Sequence, residues 1–335
     1  MDYKDVPKVC KRYSFESKIR TLNQISFNLF NVKKNSIVVS PDLPHPWDLE
    51  TLLMFCMDDE WYGKDNFCKN GHPVYDLIQA IRDFEDDKIL PKGKENLWLR
   101  NLLIAGSANQ YEIQEVIKFK YYRYNFIFSY IDEKINMPLI FEEKFNVDYR
   151  SFMIFTNCIF MVANTDKLPN KYEFINDLCV QYNNVVVNLT LSKDKFEEQI
   201  KFFSNNYDDC KNCVKVCNRY PFIYYKGKIY LTLLHSLLLA TTKSLFLRLT
   251  DQDNELKSLM GKTVIESYLH SIIVESGEFD EVLREQEYGR ENKKTPDLMC
   301  KKNNQYLFFE CKSSTPHAHT RCLDEDLIEK ESQEY

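Results

Sequence analysis

Glycine is scarce in this chain, with eight residues in 335 and no Gly/Ser tract separating blocks of ordinary composition. Flexible linkers are therefore unmarked, and domain boundaries carry no compositional signature. Internal repeats and low-complexity segments are missing as well, which excludes solenoids, propellers and fibrous arrays. The most apolar long stretch, "IYLTLLHSLLLATTKSLFLRL" (229–249), is interrupted by His235, Lys243 and Arg248 and reads as a buried helix, not a membrane span. No cationic leader opens the chain, and its eleven cysteines are too irregularly spaced for a secreted disulfide framework. The expected setting is the reducing cytoplasm. A net charge of −6 leaves no overall basic field, so contact with nucleic acid would rest on local patches or on a bound metal ion.

Apolar residues, by contrast, are plentiful. Hydrophobic residues make up 44% and aromatics 14%, ample for packed cores, and the length exceeds what a single core usually supports. Two domains are expected. Helical periodicity marks 46–61, 73–87, 108–124 and 192–206, while "SIVVS" (36–40) and "NVVVNLTLS" (184–192) read as strands. Near Pro221 the pattern changes to a hairpin over 222–231 turning at Lys226 and Gly227, followed by the leucine-rich helix. A second helix covers 254–276 with Gly277 as its C-terminal cap. A strand within 281–288, two more within 295–314 and an acidic helical tail from Leu323 complete the order.

Several motif-like stretches have simpler explanations. "MGKT" (260–263) lacks the earlier glycine of a phosphate loop, Leu256 standing in its place, and no strand leads into it. Cys210, Cys213 and Cys217 have metal-like spacing but no second close pair, so free thiols are expected. "KFKYYRYNF" (118–126) interleaves Lys118, Lys120 and Arg123 with aromatics, a pattern that suits base stacking. A helix with a buried aromatic side and solvated charges explains it more simply. His317 and His319 read as loop residues, and the sequon at Asn188 carries no meaning in a cytoplasmic strand.

The stretch "TPDLMCKKNNQYLFFECKSS" (295–314) is different. Asn303 and Asn304 suit the centre of a two-residue hairpin turn, because Asn tolerates positive φ. That turn pairs Asp297 with Glu310, Met299 with Phe308 and Lys301 with Tyr306. Alternation then places Asp297, Glu310 and Lys312 on one face, and Leu298, Cys300, Leu307, Phe309 and Cys311 on an apolar other face. Two carboxylates opposed across a sheet repel each other. A divalent cation such as Mg²⁺ removes the conflict, acidifies a bound water and shields a phosphate, while Lys312 positions that water.

Pro296-Asp297 followed by Glu310-Cys311-Lys312 resembles the motif of the PD-(D/E)XK nuclease superfamily, the restriction-endonuclease-like fold, over about residues 255–335. The resemblance implies an αβββαβ core, Asp297 and Glu310 holding Mg²⁺ or Mn²⁺ with the Cys311 carbonyl, and Lys312 assisting the attacking water. It also implies a further acid from the preceding helix, where Glu266 stands. Two other readings stay open: Glu266 can pair with Lys262 or His270 four residues away, and Asp297 can pair with Lys312 across the strands. The fold class implied is α/β, an α-rich mixed region over 1–220 followed by a restriction-endonuclease-like αβββα core over 221–335. Because Tyr335 falls within the expected second helix, the core is expected to be incomplete at its C-terminal end.

The activity implied is metal-dependent phosphodiester hydrolysis, with DNA ahead of RNA, in a chain that is similar in layout to bacterial defence or restriction nucleases. Homo-oligomers or a protein partner engaged through residues 1–220 belong to the same reading. The alternative is an interaction or assembly protein whose nuclease-like domain is a scaffold, or acts only with a partner.

Overall fold

The computed structural model describes residues 2–35, 44, 46–57, 67, 72–89, 117–163, 192–210, 219–288 and 293–311. The readings at 36–40, 184–191, Cys213, Cys217, Lys312, His317, His319 and the acidic tail lie outside the described residues. The architecture is mixed α/β, rich in helix with three small sheets.

In chain order the described helices are α1 (Val6–Cys10), α2 (Phe15–Asn35), α3 (Pro46–Cys56), α4 (His72–Ile89), α5 (Ile117–Ser129), α6 (Met137–Phe145), α7 (Tyr149–Ala163) and α8 (Lys193–Phe202). They continue as α9 (Tyr207–Cys210), α10 (Leu234–Ala240), α11 (Lys243–Thr250), α12 (Asn254–Leu259) and α13 (Glu266–Ser276), with a π-helical turn over Met260–Ile265 between the last two. The strands are β1 (Ser204–Asn206), β2 (Phe222–Tyr225), β3 (Lys228–Leu231), β4 (Glu281–Arg284), β5 (Glu287–Tyr288), β6 (Lys293–Lys294), β7 (Leu298–Lys302) and β8 (Gln305–Phe309).

Two compact units divide the chain. One comprises 1–115, 150–245 and 317–335; the other comprises 116–149 and 246–316. The division read from the sequence at 220/221 thus differs from that of the compact units. Residues 221–245 pack with the first unit, and the second takes in α5 and α6 from far upstream. A linear reading has no means of detecting such an excursion, because the chain changes units without a change in composition.

In the first unit, α2 opens at Ser14, whose Oγ accepts the Ser17 backbone N–H at 3.3 Å. Phe15, Ile19, Leu22 and Leu29 follow at helical spacing and are buried with Leu49, Leu52 and Leu53 of α3 and Leu77, Ile78 and Ile81 of α4. Phe15 is also ringed by Tyr207, Tyr225 and Tyr230, with centroids 4.9, 4.5 and 5.9 Å away. The β2–β3 hairpin turns at Lys226 (φ 47°) and Gly227 (φ 78°), as its sequence predicts, and β1 pairs with β2 in parallel. A buried carboxylate, Asp48, is held by Arg82 through Nη2 at 2.7 Å and Nε at 3.1 Å. His235 sits 2.9 Å from Glu50.

Two helices read from the sequence end differently in the structure. The 192–206 helix stops at Phe202, and Ser204–Asn206 becomes β1 because a parallel partner is available in Phe222–Tyr224. The leucine-rich run is not one helix: β3 takes its first residues, and α10 and α11 part at Thr241 and Thr242. There the two hydroxyls bond to the carbonyls of Leu237 and Leu238, at 3.1 and 2.6 Å respectively, competing with regular helix continuation. The run is buried, as expected.

In the second unit, α5 reverses part of the expectation for 118–126. Lys120, Tyr121 and Tyr124 are buried, whereas Phe119 and Tyr122 are exposed. Phe126 meets Tyr268 of α13 at 5.4 Å, and Tyr130 Oη lies 3.1 Å from Ser267 Oγ. Asp253 caps α12 by accepting the Leu256 N–H at 2.9 Å, and Gly277 closes α13 at φ 63°. The continuous helical segment 254–276 matches its sequence periodicity apart from the wide turn at 260–265.

The sheet of this unit has the order β4-β7-β8, both pairings antiparallel, with the short β5–β6 pair inserted between β4 and β7. Asn303 (φ 47°) and Asn304 (φ 65°) turn the β7–β8 hairpin, and Met299 opposes Phe308 while Lys301 opposes Tyr306. This is the register read from the sequence. Leu298 and Cys300 are buried with Ile273, and Leu269, Phe279, Val282 and Phe309 pack around them. Leu307, expected on the same buried face, is 52% exposed because β8 is an edge strand.

Since a β-branched side chain is strained at positive φ, Asn304→Val should lower stability by about 1–2 kcal/mol, whereas Asn304→Gly should preserve it. Denaturant unfolding of both variants measures the difference, and equal stabilities would contradict the turn geometry.

Candidate functional site

The site forms where α13, β4 and the β7–β8 hairpin come level. Glu266, Leu269 and Ile273 follow one another at helical spacing on α13, and the two apolar members pack against Leu298, Cys300, Val282 and Phe309. A short connection at Gly277–Asp280 sends β4 back along the helix, so the end of β4 meets its start. Arg284 marks the contact, with Nη2 lying 3.4 Å from His270 Nδ1.

Asp297 lies one residue before β7 and is held on both sides. Its carbonyl accepts the Glu285 N–H at 3.0 Å. The β7–β8 ladder ends at the Leu298–Phe309 pair, and the next donor, the Cys311 N–H, turns to Asp297 Oδ2. A carboxylate takes the place of a backbone carbonyl at the point where the strands stop pairing. This fixes the Asp297 side chain at the open end of the hairpin and brings Cys311 to it.

Glu266 is the most perturbed acid there. Partial burial, then the nearby Asp297 and Glu285 carboxylates, push its pKa up to about 7, against weaker opposing effects of Arg284 and Lys262. Among the described residues it makes no ion pair with Lys262 or His270, the simpler role open to it from sequence. His270 instead faces Arg284, and burial together with that guanidinium lowers its pKa. Lys294 reaches Glu285 at 2.5 Å, and this bond, with the Glu285, Glu287 and Glu266 charges, raises the Lys294 pKa.

The structure therefore brings Glu266 and Asp297 into one electrostatic neighbourhood and ties Cys311 to Asp297. Glu310, beside Cys311, is exposed to solvent. Lys312, and with it the Asp297–Lys312 salt bridge, lies outside the described residues. Glu285, Arg284 and Lys294 were missed in the sequence. Register arithmetic would have found Glu285, since Leu283 opposes Met299 and the next in-register position across from Asp297 is 285. No turn signal between β4 and β7 fixes that pairing in advance.

Among the described residues, no three His, Cys, Asp or Glu side chains are grouped closely enough to hold one metal ion together. Mg²⁺ asks for less, commonly one or two protein carboxylates, with water and substrate phosphate filling its other positions. Asp297 and Glu266 fit that requirement: two acids held close together, one with its pKa raised by the other's charge. Comparison with protein-family models, curated proteins and solved structures returned no match for this chain.

The raised Glu266 pKa fixes the sign of a pH effect. The native state binds more protons than the unfolded state between the ordinary carboxylate range and about pH 7, so this group's contribution falls as pH rises through that window. Thermal unfolding across that window should show Glu266→Gln gaining stability relative to wild type as pH rises. A difference that is constant with pH would refute the electrostatic account.

Proposed function

We propose that this chain is a metal-dependent nuclease that hydrolyses phosphodiester bonds, with DNA as its substrate ahead of RNA, through a site at the open end of the β7–β8 hairpin. The observation that carries this reading is the pairing of Asp297 with Glu266, two acids from separate elements pressed together where the Glu310-Cys311-Lys312 segment begins. Proteins avoid uncompensated charge pairs unless something else uses them, and strongly perturbed acids concentrate at functional sites.

Asp297, Glu310, the Cys311 carbonyl and Glu266 are the groups that would hold Mg²⁺ or Mn²⁺. When bound, such an ion supplies positive charge for the phosphate and acidifies a water. Asp297 is pre-positioned for this by the Cys311 N–H, which orients the carboxylate without a side-chain partner. Glu266, poised near neutrality, exchanges its proton for a cation at little cost. Lys312 would orient the attacking water and balance charge that develops on phosphate oxygens. The restriction-endonuclease-like reading of α13, β4, β7 and β8 belongs to the same proposal, as do the cytoplasmic setting and the role in bacterial defence. Among the described residues no helix is long and apolar enough to cross a membrane.

Cleavage of plasmid, linear duplex and single-stranded DNA and of RNA, with Mg²⁺, Mn²⁺ or chelator, tests the proposal. Glu310→Ala and Lys312→Ala should each lose at least about a hundredfold in rate. Mn²⁺ should also raise the unfolding temperature of the native chain, by an increment that disappears in Asp297→Asn. Absence of cutting together with absence of metal stabilisation would favour the scaffold reading, in which this unit serves assembly with a partner.

A further inference from the structure

We propose that β8 is a self-association edge, through which two copies of this chain pair their β8 strands antiparallel about a two-fold axis at Leu307, joining two three-stranded sheets into one of six. The inference is independent of the nuclease reading.

Three observations lead to it. In the order β4-β7-β8, β8 is terminal, and among the described residues its only ladder partner is β7. Next, Tyr306, Leu307 and Phe308 are 51%, 52% and 59% exposed. Consecutive strand residues point to opposite faces, so this edge is uncovered from both sides. Finally, Gln305–Phe309 contains no Pro, Gly, charged residue or bulge, the usual devices by which proteins prevent strand addition.

The hairpin geometry shows which backbone groups are offered. In a two-residue loop the closing pair, here Lys302 and Gln305, exchanges both of its backbone bonds. Along β8, Gln305, Leu307 and Phe309 therefore aim their N–H and C=O groups at β7, while Tyr306 and Phe308 aim theirs outward. An occupant must present an extended backbone to those outward groups, which selects a strand over a helix or a small ligand.

A second copy fits that requirement. With the axis at Leu307, all of Gln305–Phe309 overlaps and Leu307 meets its counterpart. Tyr306 of each copy opposes Phe308 of the other, and these two pairs are the ones whose backbone groups point across the new seam. No like charges meet, because the strand carries none, and the aromatic cross-strand contacts add to the backbone bonds. A five-residue seam is small, so the dimer should depend on concentration.

Sedimentation velocity of the full chain over a range of about 1 to 100 µM tests this, since small interfaces dissociate within it. Wild type should shift from monomer to dimer as concentration rises. Leu307→Lys and Leu307→Glu each bring like charges together at the axis and should stay monomeric, while an equimolar mixture of the two should dimerise again. Leu307 is half-exposed, so both variants should keep the wild-type circular dichroism spectrum and unfolding midpoint. A wild type that stays monomeric throughout overturns the proposal, as does a dimer that Leu307→Lys leaves intact or a mixture that fails to recover.

Discussion

The register of one hairpin governs the C-terminal unit. Asn303 and Asn304 adopt positive φ, which sets Lys302 against Gln305 and fixes every pair up to Leu298 and Phe309. A slip of one residue would move Leu298 and Cys300 out of the small core formed with Ile273, Leu269 and Val282, and send Met299 and Lys301 inward. The same register ends the ladder at Phe309, and only because it ends there does the Cys311 N–H reach the Asp297 carboxylate. Core and site are thus consequences of one turn.

Around that turn the unit is locally consistent except at its acids. Helix caps, apolar stripes and strand alternation agree with the architecture, and Lys302 and Lys294 compensate Glu278 and Glu285. Glu266 breaks the pattern: it heads an otherwise apolar stripe and faces two carboxylates. Conflicts of this kind are where sequences depart from what stability alone would select. The nuclease proposal gives the conflict a use, because a cation converts repulsion between the two acids into shared ligation.

Sequence alone conveyed the short-range features well and the long-range ones poorly. Both hairpins were legible because their turns carry local chemistry, Lys226-Gly227 and Asn303-Asn304, at the residues that adopt positive φ. The 254–276 helix was legible from its periodicity and its Gly277 cap. The wide turn within it was not, since a π turn leaves the apolar spacing almost unchanged. Ser204–Asn206 was hidden because its strand character comes from a parallel partner sixteen or more residues away, not from its own three polar side chains. The placement of 116–149 with 246–316 was invisible for a similar reason: contacts such as Phe126–Tyr268 relate positions with nothing shared in sequence. Of the candidate site, Asp297 and Glu266 were found from motif and spacing, and Glu285 was missed because its strand had no fixed partner.

The π turn at Met260–Ile265 ends immediately before Glu266. Relative to a regular α-helix it takes up an extra residue, and each residue rotates a helix by about 100°. Met260 and Val264 are buried upstream of it, whereas Leu269 and Ile273 face the sheet downstream. The turn thus acts as a phase adjuster between two burial requirements that a uniform helix could not satisfy together. Heritable change by insertion or deletion is therefore asymmetric here. Losing one residue from this turn would leave a better helix, yet it would swing Glu266 away from Asp297, so the segment is held in its less regular form by what lies beyond it.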